Sequence, residues 1–198
     1  MNTERDQISE DILKSIVFGL TGKNASGKGT VAEILKKKNF TYHSLSDSLR
    51  DELKTLKKEE TRENLIDIGN KLRAKGGPGV LADKLVPKLN SENNHIVDSI
   101  RNPLEVISLR KNTLLRRFFL ISIDADSRLR YERLCSRGRT GDTDSWEKFV
   151  EQEKKEENND DPNKQQLSRT MEMADYNIDN SGTLEELEAQ VNRIFSSL

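Results

Sequence analysis

Cysteine is almost absent from this sequence: Cys135 stands alone among 198 residues. One thiol forms no disulfide within a chain and no cysteine-based zinc site. It lies in a pattern that reads as an amphipathic helix, so a buried bystander is expected there rather than a nucleophile. Long apolar runs are missing too. The longest, near Ile16 to Leu20 and Phe118 to Ile123, fall far short of the ~20 residues that cross a bilayer. The opening stretch MNTERDQISEDILK is polar and acidic and holds no apolar signal core. Neither sign of charge dominates, with 33 Lys+Arg against 34 Asp+Glu. That balance gives no general attraction to nucleic acid or to an anionic membrane, and no aromatic-basic stripe suggests a nucleic-acid strand. The expectation is a soluble, cytoplasmic monomer or homodimer whose partner is a small molecule.

What is plentiful is charge, 34% of residues against 33% in the hydrophobic set. A chain of this length fits one domain with a real core. No repeat appears at solenoid periods. Residues 1–13 read as a polar N-terminal extension, and 14–198 as a single domain. Short β-rich runs are expected as strands at Ser15 to Leu20, Phe40 to Leu45, Asn94 to Asp98, Arg117 to Asp124 and Tyr176 to Asp179. Helical patterns separate them, with Ser46-Asp47, Thr61 and Asp126 as candidate caps and Pro87 as a bend or stop. Strands alternating with helices predict a three-layer α/β fold, a parallel sheet of about five strands with helices on both faces. Residues 46–90 read as an acceptor-binding helical region. Residues 137–170 read as a lid and helical insertion, very polar and at best loosely packed on the body.

The loop after the first strand reads Gly22-Lys23-Asn24-Ala25-Ser26-Gly27-Lys28-Gly29-Thr30. Its G-x-x-x-x-G-K spacing, set between a strand and a helix, is a phosphate-binding P-loop. Side chains stay out of the way so that successive N–H groups wrap phosphate oxygens, and the following helix aims its positive end at the same anion. Lys28 supplies a mobile charge for the outer phosphates. Many such loops place Ser or Thr directly after the lysine to ligate magnesium. Here Gly29 intervenes before Thr30, so the ion is expected on nucleotide oxygens and waters, with Asp98 at one remove.

Ligands of open α/β sheets sit beyond the carboxyl ends of the strands. Arg50, Arg73 and Arg101 fall near those ends, where planar guanidinium groups suit an anionic acceptor. Asp98 ends the third strand, as expected of a carboxylate near magnesium. Asp47 suits helix capping, orientation of the acceptor, or general-base work on a hydroxyl. Arg130, Arg133 and Arg137 share one helical face, and with Arg139 they read as arginines of a mobile lid. Trp146 and Phe149 are expected to pin the following helix to the body rather than stack on a base.

The series GLTGKNASGKGTVAEIL, SLSDSLRDEL, TRENLIDIGNKLRAKGGPGVLADKL, HIVDSIRNPLEV, RYERLCSRGR and ADYNIDNSGTLEEL resembles a largely archaeal group of P-loop proteins. That group is described as similar to adenylate kinase and dephospho-CoA kinase, and related domains occur fused to deoxycytidylate deaminases. The resemblance implies ATP and Mg²⁺ as cofactors and a nucleotide kinase activity. Gly22, Asn24, Ala25, Ser26, Gly27, Lys28, Gly29 and Thr30 would bind the ATP phosphates. Asn180, after the last strand, would meet the adenine through backbone groups. Asp47, Arg50, Arg73 and Arg101 would hold the acceptor, with SIRNP standing where adenylate kinases carry GFPR. Lys28, Arg101, Arg137 and Arg139 would serve catalysis. A nucleoside or deoxynucleoside monophosphate is the expected acceptor. Dephospho-CoA is the alternative, and a nucleotide-sensing module without turnover a further one.

Overall fold

The computed structural model describes residues 15–90, 92–112, 117–138, 145–157 and 160–198. The extension over 1–13 lies outside them. Five strands form one sheet: β1 (Ile16–Thr21), β2 (Phe40–Ser44), β3 (Asn94–Asp98), β4 (Arg117–Asp124) and β5 (Tyr176–Asp179). Their order is β2-β3-β1-β4-β5, and every pairing is parallel. β1 is wholly buried, as its apolar run Ile16 to Leu20 requires of a strand covered on both faces, and the buried Thr21 hydroxyl donates to the Ile100 carbonyl at 2.9 Å.

Alternation along β1 divides the core. Ile16, Phe18 and Leu20 pack with Val31, Ile34 and Leu35 of α1 (Lys28–Lys36) and with Leu187, Val191 and Ile194 of α9 (Leu184–Ser196). Val17 joins the opposite core, which is made with α2 (Asp47–Thr55), α3 (Arg62–Gly76), α4 (Val80–Leu85) and α5 (Pro103–Asn112). Each large apolar side chain buried this way contributes about 1.5–3 kcal/mol. Pro87 ends α4 and turns the chain into one 3-10 turn, Val86–Lys88. The expected caps act at Thr61, which accepts from Asn64 N–H, and at Asp126, which accepts from Arg128 and Leu129. Ser46 occupies the cap position of α2 without a side-chain bond.

β3 stops at Asp98, as expected, because Ser99 turns into the left-handed region at φ 67°. Two expectations need correction. Cys135 is exposed, since α6 (Ser127–Arg137) buries Arg130 and Leu134 instead. The insertion is not loosely packed among its described residues. α7 (Trp146–Glu157) docks on α6 through buried Phe149, which stacks with Trp146 and meets Tyr131, while Arg128 lies 3.8 Å over the Trp146 ring. As expected, both aromatics pin this helix. α8 (Leu167–Glu172) buries Leu167 and Thr170.

The two histidines of the chain meet across β2 and β3, with His43 Nε2 3.0 Å from His95 Nδ1. His95 Nε2 lies 3.0 Å from the Asn90 carbonyl, which only accepts, so Nε2 carries the proton and Nδ1 accepts from His43. Burial first, then His95 and Lys88, lower the His43 pKa. The folded chain therefore binds fewer protons than the unfolded one as pH falls through the histidine range, and stability falls with it. Denaturation midpoints at pH 7.5 and 5.5 should show that loss, and His43→Asn should flatten it.

Candidate functional site: a basic cleft at the carboxyl edge of the sheet

The parallel strands bring five connections to one edge of the sheet. The loop between β1 and α1 comes first. Gly22 has φ 140°, and a Cβ there would stand 2.0 Å from the Ile123 carbonyl oxygen; Gly27 has φ 100°, and its Cβ would meet Asn180 Nδ2 at 2.0 Å. Neither position admits a side chain. Lys28 Nζ donates to the Gly22 and Lys23 carbonyls, each at 2.7 Å, which places its charge at the loop.

Asn180, after β5, supports this loop through its side chain. Its side-chain Nδ2 donates to the Ser26 carbonyl at 2.8 Å. Its N–H donates to the Asp124 carbonyl and its C=O accepts from Arg133 Nη2 at 3.0 Å.

α6 presents its arginine face to the same loop, but the four arginines divide. Arg137 Nη2 donates to Asn24 Oδ1 at 2.9 Å. Arg133 holds Asn180, and its Nη1 is buried with no hydrogen-bond partner. Arg130 is structural: it is 2% exposed and bonds the Ala125 carbonyl, Glu153 and Asp124, tying α6 to α7. Arg139 lies outside the described residues.

On the far side, Asp98 ends β3 in the cleft wall. Its Oδ1 accepts from Ser99 N–H at 2.5 Å and its Oδ2 from the Tyr42 hydroxyl at 2.9 Å. Burial first, and then the Asp98 charge, push the Tyr42 phenol far above its ordinary range, so it remains a donor at neutral pH. Arg50 lines the cleft, gripped by Asp47 Oδ1 at 2.9 Å and Glu60 Oε1 at 2.7 Å. Asp47 is outside the lining, where its other oxygen accepts from Ser44 N–H.

Arg73, expected among the acceptor grips, is 2% exposed in the wall and committed to Glu105 through Nε at 3.1 Å and Nη2 at 2.9 Å. A buried guanidinium requires such a partner, which revises its role from ligand grip to structural pair. Arg101 Nη1 reaches Gln165 Oε1 at 3.3 Å.

Between these walls lies a cleft of about 1190 Å³, lined by seven cationic side chains and two carboxylates, Glu60 and Asp98. The loop residues Asn24 through Thr30 line it, as do Arg50, Asp98, Arg101 and Arg137. Arg62, Tyr42 and Gln165 are lining residues not anticipated from the sequence. Arg62 had a readable signal: a cation in the first turn of a helix opposes the helix dipole, so its presence at the start of α3 calls for another reason. Among the described residues no group of three or more His, Cys, Asp or Glu forms a metal cage. Asp98 and Thr30, the two residues expected near a nucleotide's magnesium, both line the cleft, and so few donors suit an ion that keeps several waters.

A parallel sheet in this order, with a glycine loop after its central strand and arginines around the carboxyl edge, is a P-loop kinase-like fold. The family model described as AAA domain matches residues 19–160. UPF0200 protein PF1294 of Pyrococcus furiosus is 32% identical over 187 residues, covering 92% of this chain and 97% of its own. The chain belongs to this AAA domain family and to the UPF0200 proteins. Solved structures share the fold. A shikimate kinase from Aquifex aeolicus superposes at TM-score 0.54 with 14% identity, covering 91% of this chain and 96% of its own. A gluconokinase from Sinorhizobium meliloti does so at 0.53 with 16% identity, covering 93% and 97%. No helix among the described residues is long and apolar enough to cross a membrane.

Proposed function

We propose that this protein is an ATP-dependent phosphotransferase acting on a small nucleotide, with a nucleoside or deoxynucleoside monophosphate as acceptor. The observation that carries this reading is the excess of cations around one cleft, Lys28, Arg50, Arg62, Arg101, Arg133 and Arg137 besides the paired Arg73, against two lining carboxylates. Such a cleft suits two phosphate-bearing ligands facing each other.

The loop from Gly22 to Thr30 would hold the ATP phosphates, and Lys28 would neutralise the outer ones. Magnesium, held through nucleotide oxygens and water with Asp98 and Thr30 nearby, would supply further charge neutralisation. Arg50 would exchange Glu60 for the acceptor phosphate, and Arg101 would grip it from the β3 side. Arg137 and Arg133 would offset charge on the moving group from above the loop, so catalysis is positioning and electrostatics. A phosphate acceptor is already anionic and needs no general base.

A second reading, transfer to a hydroxyl as in dephospho-CoA, is favoured by one observation: Asp98 places a carboxylate in the cleft wall. Asp47, the base suggested by the sequence, is instead bonded to Ser44 and Arg50. ADP release from ATP–Mg²⁺ should be measured with ribo- and deoxyribonucleoside monophosphates, with dephospho-CoA, and with no acceptor. Turnover with one monophosphate supports the first reading. Turnover with dephospho-CoA alone selects the second and makes Asp98→Asn the next variant. ATP binding without acceptor-stimulated turnover would make the domain a nucleotide sensor.

A further inference from the structure

The loop after β3 is fastened to a segment more than fifty residues downstream. Asn102, 1% exposed, caps α5 by accepting from Leu104 N–H at 2.9 Å. Its Nδ2 donates outward to the carbonyls of Pro162 at 2.8 Å and Lys164 at 2.9 Å. Gln166 N–H donates to the Arg101 carbonyl at 3.0 Å. Residues 160–166 thus form a strap across the end of the acceptor wall. Its turn is set by Asp161, whose carbonyl accepts from Lys164 N–H and whose carboxylate accepts from Asn163 N–H, with Pro162 at the second turn position. At its C-terminal end the strap leads into α8, anchored by buried Leu167.

The strap delivers one side chain to the cleft, Gln165. A guanidinium only donates, so Gln165 turns its Oε1 toward Arg101 Nη1. Arg101 is meanwhile held at its backbone N–H by Glu105 Oε2 at 2.8 Å. The arginine at the acceptor wall is therefore gripped at its backbone by the start of α5 and at its tip by the strap.

We propose that Asn102 and Gln165 are positioning residues, holding Arg101 in the orientation that receives the acceptor phosphate; this rests on the phosphotransferase reading above. A long arginine side chain fixed before its ligand arrives has less rotamer freedom to lose on binding. Asn102 acts through the strap, and Gln165 acts directly on the guanidinium.

Asn102→Asp isolates the effect. Aspartate keeps the cap acceptor of α5 but cannot donate to the Pro162 and Lys164 carbonyls, and its charge repels them. Calorimetry with AMP, GMP, CMP and UMP, each with Mg²⁺ and a non-hydrolysable ATP analogue, should show the tightest-bound monophosphate weakened about tenfold. Affinity for the ATP analogue should stay within about twofold. Gln165→Ala, which leaves the strap tied, should weaken the same monophosphate severalfold. In an Arg101→Ala background, Asn102→Asp should cause no further loss, because it acts through that side chain. Wild-type affinity in Asn102→Asp, or additive losses with Arg101→Ala, would overturn the proposal while leaving phosphotransfer to be judged by ADP release. A wild-type protein that binds neither these four monophosphates nor their deoxyribonucleoside counterparts would overturn the acceptor assignment and this proposal together.

Discussion

Lys28→Ala should lose phosphoryl transfer by a factor on the order of 10²–10³ or more, the loss expected when a preorganised group facing the developing charge is removed. The loop should survive the change. Its path depends on Gly22 and Gly27, whose backbones admit no Cβ, and on the Asn180 bond to the Ser26 carbonyl. The lysine contributes hydrogen bonds from a flexible stem to two loop carbonyls, and such bonds are each worth about 0.5–1.5 kcal/mol net. ADP release in the presence of the best acceptor, paired with a thermal melt, separates the two consequences. Lost turnover at a nearly unchanged melting temperature supports the phosphate-binding role, and retained turnover rules it out.

Glu105→Ala should be the most destabilising single change in the cleft walls. Glu105 is 0% exposed, and its carboxylate accepts four hydrogen bonds: Nε and Nη2 of Arg73 on one oxygen, and the N–H groups of Arg101 and Asn102 on the other. Deleting it leaves the Arg73 charge buried without its partner, at a cost of about 3–5 kcal/mol. The capping contact at the start of α5 is lost as well, typically ~1 kcal/mol. For a chain of this size the melting temperature should fall by about 10 °C or more. Glu105→Gln should be milder, because an amide oxygen still accepts, yet it leaves Arg73 unneutralised. Urea denaturation of the two variants beside wild type checks the order. A Glu105→Ala protein as stable as wild type would show that the pair does not hold the wall.

What the sequence revealed about this cleft followed the range of the contacts. The strand, glycine loop and helix from Ile16 to Lys36 were legible because each part is specified by neighbours a few residues away. The bond from the Asn180 side chain to the Ser26 carbonyl was not legible, since its partner lies 154 residues away and nothing local marks it. Arg73 sits on a charged helix where solvated or ligand-binding roles come to mind first. Its burial depends on a carboxylate that α5 brings to the same spot. A clue was present in Asn102-Pro103-Leu104-Glu105, a capping pair with proline at the first helical position, which fixes the direction of the Glu105 side chain. The polar composition of the insertion concealed its docking for a similar reason. Polarity reported the outer face of α7, while Phe149 and Glu153 did the packing on α6.

The order of the strands bears on how this chain is made. β1 is the central strand, yet its hydrogen-bonding partners are β3, beginning at Asn94, and β4, beginning at Arg117. On a ribosome the apolar segment from Ile16 to Thr21 therefore emerges long before either flank exists. Contacts this far apart in sequence must close large loops before they return any stabilisation, which makes such sheets slow to assemble. Nascent chains carry this mostly apolar strand unpaired until β3 and β4 emerge, so molecular chaperones should engage them early and release them only after β4 has left the exit tunnel.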